Sequence, residues 1–254
     1  MAPLLEDIND KDSLKFDDTA KANILQTQFS SIFTNEPDGE IPEMLPKSKA
    51  SIHNLVVTEE MVLSKLKEIN TNKSCGPDSM HPRILKELSN YIAKPIAAIF
   101  NASLQQGTLP HDWKLANISP IYKKGSRNIA ENYRPISLTS ILCKIMESCI
   151  RDEILLHLQV NNLLSTRQYG FLHGRSTVTQ LLNYLDKCAN VIADGGVVDS
   201  IYLDFAKAFD TVPHRRLINK LKAYGISGQI LNWITEYLHQ REQVVMVNGP
   251  IRLQ

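Results

Sequence analysis

The 254-residue chain is 43% hydrophobic and 22% charged, an ordinary balance for a globular protein, and is long enough to bury a sizeable core as one large domain or two small ones. A formal net charge of +1 announces neither a nucleic-acid-coating nor a membrane-coating protein. The acidic start has no signal-peptide core and no apolar run approaches the roughly 18 residues that span a bilayer, so the expectation is a soluble intracellular protein without a membrane partner. Cys75, Cys143, Cys149 and Cys188 form no CxxC pair and no Cys/His zinc spacing, and reduced thiols are the simplest account. Charge is unevenly distributed. Residues 1–60 are acid-rich, including Glu36, Asp38, Glu40 and Glu43, whereas Lys114 to Arg175 carries a basic excess. A basic excess is compatible with a phosphate-facing surface, but taken by itself it reads first as a solvated face of mixed charge.

Residues 1–16 are polar and read as loose. Asp17 or Asp18 caps a predicted helix with Ile24, Leu25, Phe29, Ile32 and Phe33 on its apolar face. Asn35 to Lys49, punctuated by Pro37, Gly39, Pro42 and Pro46, reads as a linker. Thr58 caps a short helix bearing Val62, Leu66 and Ile69. The loop NKSCGPDSMHP (Asn72–Pro82) ends in a proline suited to a helix first turn, followed by Ile84, Leu85 and Leu88. A second helix is predicted from Pro95, burying Ile96, Ile99, Phe100 and Leu104 and ending at Gly107.

Leu115–Tyr122 reads as a strand, Lys123–Asn132 as a basic loop and Tyr133–Leu138 as a second extended segment. Thr139 or Ser140 caps a long helix with Ile141, Leu142, Ile145, Met146, Cys149, Ile150 and Leu158 on its inner face. After the Gly-rich loop QYGFLHGRST (Gln168–Thr177), a helix carries Val178, Leu181, Leu182, Leu185 and Ile192. The Asp194-Gly195-Gly196 turn delivers the chain into a predicted strand, Val197–Phe205. Helices follow at about 215–224 and 227–240. Gln243–Val247 is β-branched, and Asn248-Gly249 signals a hairpin whose second strand has barely begun at Gln254.

Four stretches carry chemistry. IYLDFAKAFDTV (Ile201–Val212) sets the Asp204 carboxylate among apolar residues at the end of the predicted strand. A buried charge is expensive unless paired, hydrogen-bonded or metal-bound. A hard cation such as Mg²⁺ takes oxygen ligands of this kind, while a strand-end Asp also caps loops or pairs with a base. Asp210 reads as an Asx-turn or helix cap, and Phe209, by itself, as core packing. In PIYKKGSRNIAENYRPISL (Pro120–Leu138) two extended arms flank Lys123, Lys124 and Arg127, with Arg134 on the returning arm. Arginine grips phosphate oxygens bidentately and lysine supplies a point charge, so a triphosphate suits this hairpin. KSCGPDSMHPRILK (Lys73–Lys86) and QYGFLHGRST place glycine where backbone can approach a ligand, beside Lys73, Arg83 or Arg175. No Walker loop or dinucleotide fingerprint is present.

Taken together and in order, these four stretches resemble the reverse transcriptases of non-LTR, LINE-type, Jockey-like retrotransposons, from roughly Val57 to the C-terminus. The resemblance implies an α+β right-hand polymerase: residues 1–56 an N-terminal extension and linker, 57–254 an incomplete reverse transcriptase domain with fingers at about 57–195 and a partial palm at about 196–254. It implies that Asp204 is the first catalytic aspartate and a metal ligand, joined by the Phe205 backbone carbonyl. Phe209 matches the aromatic that closes the sugar pocket against a 2′-OH. Arg134 matches the basic residue over the triphosphate, with Lys123 or Lys124 assisting. Gln168 and Arg175 would lie along the template, and Lys73 with them. The implied partners are an RNA template, a DNA primer and deoxynucleoside triphosphates, and the implied cofactor is a pair of Mg²⁺ ions.

Against the family pattern, the 254 residues lack the aromatic-x-Asp-Asp hairpin, the Gln-Gly segment before it, the thumb and the upstream endonuclease. A two-metal site needs several convergent carboxylates. The expectation is therefore a fragment, truncated before the Asp-Asp hairpin and inactive alone. The alternative is a non-catalytic RNA-binding module, or the relic of a decayed element.

Overall fold

The computed structural model describes residues 1–34, 36 and 39–248. Residues 1–16 are more ordered than their polarity suggests. Strand β1 (Leu4–Leu5) pairs antiparallel with β2 (Leu14–Lys15), and Leu4 is fully buried. The hairpin is small, but Leu4 gains a place in a core, which outweighs the polar character of its neighbours. Helix α1 (Asp18–Ser30) is capped by Asp17, whose carboxylate accepts from Ala20 N–H at 2.8 Å. That frees Asp18 to pair at 2.6 Å with Lys21, a buried lysine one turn on.

Helix α2 (Glu59–Lys67) takes its cap from Thr58 as expected. Helix α3 (Pro82–Glu87) starts with proline at its first turn, and α4 (Ser89–Gln106) follows at once. The predicted start at Pro95 is thus corrected: Pro95 lies inside α4. Proline forfeits the bond to the carbonyl four residues back, here that of the solvent-exposed Tyr91, where water can replace it. Gly107, with φ +63°, ends the helix in the left-handed conformation. A short helix, α5 (His111–Lys114), then buries Trp113 edge-on against Phe100, with ring centroids 5.7 Å apart.

Strands β3 (Leu115–Tyr122) and β4 (Tyr133–Leu138) form the expected antiparallel pair, with Tyr122 opposite Tyr133 and Ile121 opposite Arg134. Ser140 caps α6 (Ile141–Val160) through Cys143 N–H. Helix α7 (Thr177–Ala193) opens with a capping box between Ser176 and Thr179. Helices α8 (His214–Ala223) and α9 (Gly228–Leu238) lead to β5 (Glu242–Val245), which joins β3 in parallel, giving the order β4-β3-β5. The expected hairpin at Asn248-Gly249 falls partly outside the described residues. Asn248 itself has φ +54°, as the first central position of such a turn requires.

Two apolar clusters hold these elements. One gathers α2, α4, α6 and α9 around Phe100, Leu104, Met146, Ile230 and Trp233. Its buried polar point is satisfied, since the Trp233 indole N–H donates to Ser103 Oγ at 3.0 Å. The other sits between α1 and one face of the sheet, with Leu4, Leu25, Phe29, Ile118, Tyr133 and Val245. Residues at the N-terminus therefore share a core with strands 110 residues and more further along. Between Asn161 and Pro213, by contrast, no residue is buried.

Candidate nucleotide and nucleic-acid interface

The β3–β4 hairpin is built from its aromatic pair outward. Tyr122 and Tyr133 meet edge-on at 5.8 Å on the face turned to α1. The Tyr133 hydroxyl donates to the Arg127 carbonyl at 2.7 Å, and burial pushes the phenol's pKa up. Tyr122 donates to the Gly125 carbonyl, and the Arg127 guanidinium lies 4.7 Å above the Tyr122 ring. Arg127 is thereby spent on its own loop. Across from this face the alternation of the strands places Ile121 and Arg134 outward. Lys123 N–H still bonds the Asn132 carbonyl at 2.8 Å, so the ladder runs one residue further. Lys123 therefore shares the outward face with Arg134, and Lys124 alternates away from it. Lys123, Lys124 and Arg134 are exposed, and none of their side chains is paired among the described residues.

Glycine in the Lys73 loop has an internal purpose. Gly76 is buried, and a Cβ there would lie 2.6 Å from the backbone of Thr139 and Ser140. Its close approach is to the start of α6, not to a ligand. Lys73 stands exposed beside it. In the QYGFLHGRST loop Arg175 donates to the carbonyls of Thr166 and Gln168 at 2.6 and 2.7 Å and stacks 5.4 Å from the Tyr169 ring. Gln168 donates to the Gly170 carbonyl at 3.2 Å. Of the three predicted template residues, Gln168 and Arg175 thus organise their own loop.

Asp204 lies in an environment unlike the one its sequence suggests. Val197–Phe205 is not a strand, and Ile201, Tyr202, Leu203 and Phe205 are each at least 79% exposed. A strand is held by a neighbour's hydrogen bonds, and among the described residues no strand pairs with this one. Asp204 is accordingly exposed, with no hydrogen bond or ion pair among the described residues, and the expected cost of a buried charge does not arise. Among the described residues no backbone hydrogen bond holds the Phe205 carbonyl. Among the described residues no group of three His, Cys, Asp or Glu side chains converges as a metal site, so the donor set for Mg²⁺ is incomplete here. Among the described residues the Asp210 side chain caps no helix: its N–H closes a turn onto the Lys207 carbonyl at 2.9 Å, and α8 has Pro213 at its N-cap and no side-chain cap.

Phe209 meets Phe171 edge-on at 5.8 Å and lines a cleft of about 600 Å³ with Ala116, Ser137, Arg241 and Gln243. Ala116 and Gln243 stand opposite each other, and Ser137 opposite Ile118, so this cleft opens on the α1 side of the sheet. Arg134 and Lys123 are on the other side. The structure leaves Phe209 and the basic pair apart, because a two-residue period sends adjacent positions of β4 to opposite faces.

Sequence reasoning missed a further ionic contact. Glu36 accepts from Arg215 N–H at 3.3 Å and from Arg216 Nε at 3.1 Å, while Arg215 Nη2 reaches the Gly39 carbonyl at 2.8 Å. The signals were present as an acid-rich linker and a His-Arg-Arg run, but 180 residues separate them. The cysteines are free, and burial pushes the thiols of Cys143 and Cys149 up, which keeps them protonated and inert.

Residues 121–252, more than half of the chain, match the reverse transcriptase (RNA-dependent DNA polymerase) family, and the chain belongs to it. The matched span holds most of the β3–β4 hairpin, the Gly-rich loop and Asp204. Among its relatives, the probable RNA-directed DNA polymerase from transposon BS of Drosophila melanogaster is 30% identical over 238 residues, 90% of this chain and 26% of that protein. The corresponding protein from transposon X-element of the same organism is 32% identical over 183 residues, 72% of this chain and 20% of the relative. The RNA-directed DNA polymerase from mobile element jockey, also of Drosophila melanogaster, is 30% identical over 194 residues, 76% of this chain and 21% of the relative. The chain thus spans about a quarter of the length of these relatives. Among the described residues no helix is long and apolar enough to cross a membrane.

Proposed function

We propose that this chain carries the fingers and the first part of the palm of a LINE-type RNA-directed DNA polymerase, an enzyme that adds deoxynucleotides to a DNA 3′-end on an RNA template. The observation that carries the reading is the outward face of the β3–β4 hairpin, where Arg134 and Lys123 stand exposed and, among the described residues, unpaired inside the span that matches the family. Arg134 grips the incoming triphosphate with its fork of N–H donors, and Lys123, rather than Lys124, adds a point charge on the same face. In the longer protein Phe209 would close the sugar pocket, which requires the Ile201–Val212 segment to reach the Arg134 face of the sheet, and Lys73, Gln168 and Arg175 would border the template. In the complete family site, Mg²⁺ would supply charge stabilisation for the attacking and leaving oxygens. Asp204 would contribute one carboxylate and Phe205 its carbonyl. The described residues supply too few ligands to hold the ion.

Two measurements test this reading. The 254-residue chain should not extend a DNA primer on RNA, whereas a longer protein containing it should, and Asp204→Ala should abolish that extension. Activity that survives Asp204→Ala would overturn the assignment. In the longer protein Phe209→Ala should admit ribonucleotides, and unchanged sugar discrimination would remove Phe209 from the pocket. A second reading, RNA binding without catalysis, is favoured by the isolation of Asp204. It predicts salt-sensitive RNA binding that survives Asp204→Ala and weakens with Arg134→Ala. A chain that neither folds nor binds RNA points to a relic.

A further inference from the structure

Helix α8 reads HRRLINKLKA and contains no acidic residue. Its apolar side, Ile218 and Leu221, packs on the helical core. His214, Arg215, Arg216, Lys220 and Lys222 are exposed. At about 100° per residue, Arg216 and Lys220 form one row and Arg215 and Lys222 a second roughly 130° round the helix, so α8 carries exposed cations on both flanks of Asn219 over two turns.

Two arginines in a first turn are misplaced for an isolated helix, because the N-terminal end of the dipole already carries partial positive charge. Here an anion resolves the conflict. Glu36 engages both Arg215 and Arg216, and its side chain is only 13% exposed although Arg216 remains 64% exposed. Nearby, Glu40 and Glu43 line an open groove that Arg215 and Asn219 border from the other side. Glu36, Glu40 and Glu43 of the chain's own linker therefore lie beside a basic helix, and the Glu36 carboxylate occupies a position a phosphate could take, between the Arg215 backbone N–H and the Arg216 guanidinium.

We propose that the exposed cations of α8 dock the phosphate backbone of a nucleic acid, and that Glu36 is an internal anion which a phosphate displaces. The inference rests on the nucleic-acid polymerase reading above and adds a contact surface to it, on an element separate from the β3–β4 hairpin. Backbone phosphate carries no sequence information, so α8 positions the strand without selecting it. Displacing Glu36 releases its hold on Arg215 and Arg216, coupling strand docking to the linker that precedes α2.

The test is fluorescence anisotropy of a labelled single-stranded oligoribonucleotide with the full 254-residue chain across a salt series. For Arg216→Ala/Lys220→Ala/Lys222→Ala, the slope of log affinity against log salt should fall by about 2, at roughly 0.7 per lost phosphate contact. The charge-preserving Arg216→Lys/Lys220→Arg/Lys222→Arg should retain the slope, which separates lost charge from lost folding. Glu36→Gln should tighten binding about two- to fivefold, the scale of one released ion pair. An unchanged slope in the triple alanine variant, with binding still weakened by Arg134→Ala, overturns docking on α8 and leaves the polymerase reading standing. Failure of Glu36→Gln to tighten binding overturns the displacement. Absence of RNA binding by the unmodified chain overturns both this proposal and the hairpin reading on which it rests.

Discussion

Helices α4 and α7 are drawn from the same stock of aliphatic residues and have opposite fates. Ala93, Ile96, Phe100 and Leu104 of α4 are buried under α2 and α9, whereas Val178, Leu181, Leu182, Leu185 and Ile192 of α7 are all more than half exposed. Both helices are well specified locally. α7 even has the better start, a reciprocal capping box, while α4 has no side-chain cap and a proline in its interior. Caps and periodicity thus decide whether a helix forms, and a partner surface decides whether its apolar stripe contributes to stability. The same contrast separates the β3–β4–β5 sheet from Val197–Phe205, which has strand-like residues and, among the described residues, no strand paired with it.

The comparison can be broken most directly by truncation in the two helical regions. Trp233→Ala removes a buried ring that stacks on Tyr237 and leaves Ser103 without its donor, and should cost about 3–5 kcal/mol in denaturant unfolding. Leu181→Ala on α7 should change stability by less than about 0.5 kcal/mol. A comparable loss at both sites would show that α7 is packed in solution. Next in size, Gly76→Ala drives a methyl into the backbone of Thr139 and Ser140 and should cost about 2 kcal/mol, the scale of overpacking. If it is neutral by the same measurement, the Lys73 loop does not pack on α6.

A smaller effect is expected at the start of α6, where Ser140→Ala removes a buried cap at about 1 kcal/mol. Acid sensitivity should separate the two regions as well. Asp18 is held below the ordinary aspartate range by its hydrogen bond from Lys21, with Asn248 also donating to it. A depressed folded pKa contributes stability above the unfolded value that is lost as pH falls through the folded one. Thermal melts should therefore show Asp18→Asn costing stability near neutrality and flattening the decline below about pH 4. An unaltered acid limb would remove the Lys21 pair from the account.

Much of the local structure was legible because its signals lie within a few residues. Thr58, Ser140 and Gly107 mark helix ends through bonds or dihedral angles formed three or four positions away. The Pro120–Leu138 stretch announced a basic hairpin because alternation and a polar loop suffice to specify one. The error at Pro95 has a related origin: a proline looks like a start, but an exposed carbonyl lets water repair an interior break. Asp204 illustrates the limit. Its apolar neighbours suggested burial, yet burial depends on which surface arrives from elsewhere, and none of the described residues supplies it.

By itself, the sequence determined the family, through four ordered motifs, and most helix and strand positions, through caps, turns and periodicity that act over one or two turns of chain. Only the tertiary structure decided which of those elements are covered. It also decided that Lys123 rather than Lys124 faces outward with Arg134, that Gly76 serves α6, and that Glu36 reaches Arg216 from 180 residues away. The physical reason is common to all of these. Capping and pleat alternation are properties of a local backbone, while burial, close approach and ion pairing belong to two surfaces that the linear order does not place together.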